Sequence, residues 1–230
     1  MVILARVIAL AIGYFCGMVA FSGDIFGKML NVNIREQGSG NVGATNTLRA
    51  LGTKFGFLAL LGDCLKAVIA SLLAYLILVV IAGITSTPDE ANIIILYAAF
   101  GAVIGHIYPA LYKFKGGKGV ATTLGLVIVM FPQAIPLCFV VFVTIFLTTH
   151  YVSLGSITCA TLYALQVVLF TALNLFGYGD HAFKVERVVI AVLNAALIIW
   201  LHRSNIERLL AHKENKVYLS KKNKTDSTKM

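Results

Sequence analysis

Apolar residues fall in long blocks separated by short polar strings. Residues 2–22, 56–84, 92–112 and 156–176 are each long enough to cross a bilayer, which takes roughly 20 apolar residues in a helix. Residues 185–201 form a shorter block of the same kind. Residues 120–147 are too long for one simple helix and carry Pro132 and Pro136. The reading there is two short helices meeting at residues 131–136, with one kinked span as the alternative. The pattern predicts an all-α, polytopic transmembrane helix bundle of about seven spans. The first block carries only Arg6 as an n-region and is followed by no small-residue cleavage site, so it reads as a retained span and not as a leader.

Composition supports lipid as the solvent. The 230-residue chain is 59% hydrophobic and only 13% charged, too little polar surface to cover a soluble domain of this size. The net charge of +9 is not spread over a polar face, which argues against nucleic acid. With seven spans, four polar regions share one side: residues 23–55, 113–119, 148–155 and the tail from 202. They hold fifteen Lys and Arg, whereas the other side holds Lys184 and Arg187. That asymmetry places the N-terminus outside and the C-terminus in the cytoplasm. Residues 1–212 read as the transmembrane domain. Residues 213–230 read as a polar, basic tail with little to bury, disordered or loosely held at headgroups. Cys16, Cys64, Cys138 and Cys159 sit in apolar runs without C-x-x-C or zinc-ligand spacing and read as buried thiols.

Candidate chemistry sits in the polar strings. The first is Gly38-Ser39-Gly40-Asn41-Val42-Gly43-Ala44-Thr45-Asn46-Thr47-Leu48-Arg49. It matches a dinucleotide fingerprint and a lysine-less Walker A by spacing alone, with no strand ahead of it and Ala44 in the lysine position. The physics those motifs share remains. Close glycines let backbone N–H groups face an oxyanion, the small polar side chains add donors, and Arg49 offers a bidentate fork. The second string is Lys113-Phe114-Lys115-Gly116-Gly117-Lys118-Gly119, at the start of a new helix, where cations and free N–H groups favour an anion. The third, His202-Arg203-Ser204-Asn205-Ile206-Glu207-Arg208, puts His202 and Asn205 on one helix face and lets Arg203 pair with Glu207. Ser153 and Ser156 stand in a fourth, weaker string. Asp63 and Lys66, at i, i+3 inside a span, read first as a structural ion pair, and His106 as a support for the second loop or the site.

Two anion loops and a His/Asn pair at one surface suit one soluble and one lipidic phosphate substrate. A transporter of a phosphate-bearing metabolite is the competing reading, weakened by ligands at one face and by the lack of an inverted repeat.

These strings resemble the motifs of the bacterial acyl-phosphate:glycerol-3-phosphate acyltransferases, the PlsY family. Ser39 to Asn46 with Arg49 resembles its first motif, and Gly105-His106…Pro109…Phe114 to Thr122 its second. Ser153 to Ser156 and His202 to Ile206 resemble its remaining elements. The likeness covers residues 2–210 in order. Ser204 departs from the Glu common in the family, and residues 177–183 and the tail lie outside the match. The resemblance implies transfer of an acyl group from acyl phosphate, not acyl-CoA or acyl carrier protein, to the 1-hydroxyl of sn-glycerol 3-phosphate. Lysophosphatidic acid and phosphate result, as the first acylation of phospholipid synthesis in the bacterial inner membrane, with the site on the cytoplasmic side. No metal or cofactor is expected. The implied partner is a soluble, PlsX-type acyl-phosphate synthase. On that chemistry, Arg49 and Lys118, with Ser39 nearby, are expected to hold glycerol 3-phosphate. Gly40, Asn41, Gly43, Thr45 and Asn46 are expected to cradle the acyl phosphate. His202 and Asn205 orient the hydroxyl or polarise the carbonyl, and Lys115, Gly116, Gly117, Ser153, Ser156 and His106 support them. The base is His202 or a substrate phosphate oxygen, and the residues alone leave open which loop takes which substrate.

Overall fold

The computed structural model describes residues 2–21 and 25–218. Among these the regular structure is entirely helical. The apolar blocks become seven helices: α1 (Val2–Gly17), α4 (Thr53–Ala74), α5 (Pro88–Ile107), α6 (Val120–Met130), α7 (Ile135–Thr149), α8 (Val152–Ala172) and α9 (Lys184–Leu201). Shorter helices lie in the polar strings: α2 (Phe26–Met29), α3 (Ala44–Leu51) and α10 (Arg203–Leu210). Four segments are long and apolar enough to cross a membrane: Thr53–Ile81, Pro88–Tyr112, Pro132–Thr149 and Val152–Ala172. A fifth arises if α9 and α10, bent by 57° at His202, count together, while α1 and α6 are shorter.

Local chemistry sets these boundaries. Residues 120–147 do divide in two, as the prolines require: α6 ends at Met130 and a turn at Pro132–Ala134 leads into α7. Pro136 then falls in the first turn of α7, where a missing N–H breaks no helical bond. α5 starts earlier than its apolar block because Thr87 caps it, accepting from Glu90 N–H at 3.3 Å, while Glu90 reaches back to Ser86 N–H at 2.7 Å.

α5 is the central helix, packed by α1, α4, α6 and α9. Its contact with α1 is backbone to backbone. A Cβ at Gly13 or Gly17 would strike the Ala98 or Ala102 carbonyl, and one at Gly101 or Gly105 the Leu10 or Tyr14 carbonyl. Each helix thus carries two glycines four residues apart, facing the other. Close approach of this kind drives helix association where lipid removes the hydrophobic term. Leu96, Leu126, Phe131, Val167 and Ile198 fill the core between α5, α6, α8 and α9. α7 buries none of its residues fully and lies on the outside of the bundle. The cysteines are free, Cys64 buried and the other three half-buried.

The end of the bundle at Pro88 and Lys184 is closed by polar contacts. Arg6 forks onto Glu186 at 2.8 and 2.9 Å, and residues 177–183 dock through the His181–Asp89 pair at 2.8 Å. The opposite end, where α5 stops at Ile107 and α9 at Leu201, gathers the polar strings.

Candidate active site

A cavity of about 150 Å³ lies at that end. Four strings converge on it: Ser39 to Arg49, Lys118 to Ala121, Val152 to Ser156, and His202 with Asn205; Glu214 joins them from the tail.

The first loop is held by Asn46. Its Oδ1 accepts from Ser39 N–H at 2.9 Å, and its Nδ2 donates to the Ile34 and Gln37 carbonyls at 3.0 and 2.9 Å. The Asn46 side chain is thus spent on shaping the loop. Gly40 turns the chain with φ +69°, a conformation that glycine adopts without strain. Gly43 then caps α3, whose first residues, Ala44 and Thr45, line the cavity beside Asn41. Arg49, from the last turn of α3, donates one Nη to the Asn215 carbonyl at 3.1 Å and leaves a buried Nε without a partner. An orphan guanidinium N–H of this kind calls for an anion. Burial pushes the Arg49 pKa down, partly offset by Glu214.

The second loop depends on two glycines. Gly116 N–H and Gly117 N–H bond the carbonyls of Ile107 and His106, both at 3.1 Å, and a Cβ at either position would collide with the end of α5. This folds the loop onto α5 and brings Lys118 into the cavity, where its Nζ bonds Asn205 Oδ1. Burial, together with the Arg208 and Arg49 charges, lowers the Lys118 pKa to about 8, against a favourable pull from Glu214. Lys115 points elsewhere: its side chain is exposed, and its carbonyl accepts from Arg35.

His202 sits at the bend between α9 and α10. Its Nδ1 lies 2.8 Å from the Ile198 carbonyl, an acceptor only, so Nδ1 carries the proton and Nε2 has a free lone pair. Burial and the Lys118 charge push its pKa down to about 4, which keeps the ring neutral at physiological pH. Asn205, three residues on, bridges Lys118 and Glu214. Ser153 donates to Glu214 at 3.0 Å, whereas Ser156 bonds back to the Val152 carbonyl at 2.8 Å. Arg203 pairs with neither Glu207 nor substrate space; it stacks on Trp200 and donates to that residue's carbonyl.

Glu214 is the member that sequence reasoning missed. Residues 213–218 pack back across the site, with Glu214 and Val217 buried and Val217 N–H bonded to the His150 carbonyl at 2.9 Å. The tail is expected to have little to bury; within residues 213–218 Glu214 and Val217 are buried while Lys213, Asn215 and Lys216 are exposed, and residues 219–230 lie outside the described part. Glu214 takes Ser153 and Asn205 on Oε1 and Arg208 on Oε2 at 2.7 Å. Burial alone would raise its pKa, but these donors and the Arg208 charge hold it below the usual carboxylate range. An acid between Lys213 and Lys216, one of two in the basic tail, was the available signal. Leu60, Val120 and Phe142 supply an apolar wall to the cavity. No cluster of three or more His, Cys, Asp or Glu suited to a metal occurs among the described residues.

Residues 7–212 match the family model described as glycerol-3-phosphate acyltransferase. The glycerol-3-phosphate acyltransferase of Halalkalibacterium halodurans is 42% identical over 204 residues, covering 89% of this chain and 91% of that one. The Aquifex aeolicus enzyme of the same name is 42% identical over 203 residues, covering 88% and 94%. The crystal structure of PlsY, an integral membrane glycerol 3-phosphate acyltransferase, in its glycerol 3-phosphate form superposes with a TM-score of 0.75. It is 36% identical and covers 93% of this chain and 96% of its own. The lysophosphatidic acid form gives a TM-score of 0.71 over the same coverage. The arrangement of loops and the sequence agree, and the chain belongs to the glycerol-3-phosphate acyltransferase family.

Proposed function

We propose that this protein transfers an acyl group from acyl phosphate to the 1-hydroxyl of sn-glycerol 3-phosphate. The observation that carries the reading is one cavity holding two phosphate-seeking cations, Arg49 and Lys118, beside an imidazole whose Nε2 can accept a proton. Arg49 and Lys118, with Ser39 at the rim, hold glycerol 3-phosphate. Backbone N–H groups of the 40–45 loop, with Asn41 and Thr45, cradle the phosphate of the donor. The acyl chain leaves past Leu60 and Phe142 toward lipid.

An acyl phosphate is a mixed anhydride with a good leaving group, so positioning and charge stabilisation suffice without a covalent enzyme intermediate. The hydroxyl oxygen attacks the acyl carbonyl, and the new C–O ester bond forms as the C–O bond to phosphate breaks. The hydroxyl proton passes to His202 Nε2 and then to the leaving phosphate. Asn205, fixed by Lys118 and Glu214, keeps Lys118 aimed into the cavity.

The reading extends to topology and context. Seven apolar helices with the cations gathered at one end support seven crossings, with the N-terminus outside and the site on the cytoplasmic face of the inner membrane. A soluble, PlsX-type synthase supplies the donor, and the product opens phospholipid synthesis. Purified protein, labelled glycerol 3-phosphate and palmitoyl phosphate, palmitoyl-CoA or palmitoyl carrier protein in turn provide the test. Labelled lysophosphatidic acid from acyl phosphate alone is expected; product from the thioesters alone refutes the donor assignment. His202→Ala should lose turnover, and near-normal turnover in it would transfer the base role to a substrate phosphate oxygen.

A further inference from the structure

Asp63, Lys66 and His106 form a buried cluster beneath the cavity that the reaction as described does not use. All three are at least nine-tenths buried. Lys66 Nζ lies 3.2 and 2.9 Å from the Gly17 and Val19 carbonyls at the end of α1, and 2.8 Å from His106 Nδ1. It also meets Asp63 Oδ1 at 2.9 Å, but without hydrogen-bond alignment, and neither Asp63 oxygen receives a donor. The geometry accounts for itself. An ammonium has three protons and no lone pair. They go to two carbonyls and one imidazole nitrogen, and Asp63 balances the charge.

This arrangement determines where the His106 proton is. Nδ1 faces a donor-only group, so it must accept. The alternative partner for Nδ1, Asp63 Oδ1, is 3.6 Å away, beyond a hydrogen bond. A proton on Nδ1 would also point at the Lys66 ammonium. The proton of the neutral ring therefore sits on Nε2. That nitrogen makes no hydrogen bond within the protein among the described residues, and His106 borders the cavity. It lies against Gly117, wedged between the ring and the Val42 carbonyl, where the two anion loops meet. The two site histidines thus have opposite polarity: His202 presents a lone pair and His106 an N–H.

We propose that His106 is a catalytic hydrogen-bond donor whose Nε2–H binds an oxygen of the donor's phosphate, the leaving group of acyl transfer, with Lys66 and Asp63 as positioning residues that hold the proton on Nε2. The assignment rests on the acyl-phosphate reading above. Charge on that phosphate grows as the C–O bond breaks, so the hydrogen bond strengthens toward the transition state and acts on kcat.

Two measurements test it. In 15N-histidine-labelled protein in detergent, His106 should appear as the neutral Nε2–H tautomer at pH 7, and inorganic phosphate, the reaction product, should shift that N–H proton downfield. An Nδ1–H tautomer, or an Nε2–H unmoved by saturating phosphate, overturns the proposal whether or not the protein is active. In kinetics, Gln can place an amide N–H near the Nε2 position, whereas Asn and Leu cannot. His106→Gln should keep kcat within several-fold, and His106→Asn and His106→Leu should lose about 10²-fold in kcat, the usual cost of one such donor, with KM for glycerol 3-phosphate little changed. Folded Gln and Leu variants with equal kcat would sink the role of His106 while leaving acyl transfer intact. Wild type inert toward acyl phosphate would instead sink the acyl-phosphate reading.

Discussion

Glu214→Gln isolates what the buried carboxylate does, because the amide keeps the shape and one acceptor. Its oxygen can still receive Ser153 and Asn205, which both use Oε1. Its NH2 group then faces Arg208 Nε, donor against donor, where the carboxylate had a 2.7 Å ion pair. A hydrogen bond to a charged group is worth about 1.5–3 kcal/mol. The Arg208 side chain is 35% exposed and can rehydrate, so the net loss is about 1–2 kcal/mol. Carried into the transition state through Asn205 and Lys118, that is roughly five- to thirty-fold in kcat/KM. The charge makes a second, separable contribution. Glu214 raises the pKa of Lys118 toward its working value of about 8. Without it, Lys118 loses its proton at lower pH, so the deficit of the variant should deepen as pH rises from 6.5 to 8.5. Steady-state kinetics of purified wild type and variant across that range, with a thermal melt in the same detergent, is the assay. A variant with wild-type kcat/KM, or one whose deficit is independent of pH, would refute the reasoning.

Arg49→Lys keeps the charge but removes the fork and the orphan Nε, so KM for glycerol 3-phosphate should rise about tenfold with kcat less affected; unchanged kinetics would remove Arg49 as a phosphate ligand. Lys118 is charged below its pKa of about 8 and neutral above it, so wild-type kcat/KM for glycerol 3-phosphate should fall on the alkaline side of pH 8. Lys118→Arg, charged throughout, should lack that limb, and a limb that survives the substitution belongs to another group. Gly105→Val drives a branched side chain into the Tyr14 carbonyl and should cost about 1–3 kcal/mol of stability, read as a lower Tm in detergent; an unchanged Tm would show that the α1–α5 contact is not tight.

Much of the fold was legible because lipid imposes a simple rule. Each long apolar run had to become a helix, and Pro132 and Pro136 had to break the one run that was too long. The helix ends were less legible. Thr87 and Glu90 start α5 in a polar stretch that hydropathy assigns to a loop. The packing was not legible from apolarity at all. Gly13, Gly17, Gly101 and Gly105 register α1 on α5 through absent side chains, and a glycine inside an apolar run does not name its partner.

The site was legible where side chains carry charge in short loops, and illegible where backbone fold decides their use. Arg49, Lys118, His202 and Asn205 do meet at one cavity. Asn46 stands in the same string as Asn41 and Thr45, and only its three backbone partners show that it builds the loop. Lys115 and Lys118 differ by three positions, yet Gly116 and Gly117 fold between them and turn one outward and the other in. Glu214 lay in a segment that composition marks as solvated, because a tail average hides two acids against several lysines. The site collects cations from three separate strings, and their mutual repulsion must be offset by an anion that leaves the phosphate positions free. Glu214 meets that need from beyond the last helix: it stabilises the charged forms of Arg49 and Lys118 while bonding only Ser153, Asn205 and Arg208. A cavity with this many half-buried cations, met without such a counter-ion, is a reason to look for the missing carboxylate in whatever chain remains unassigned.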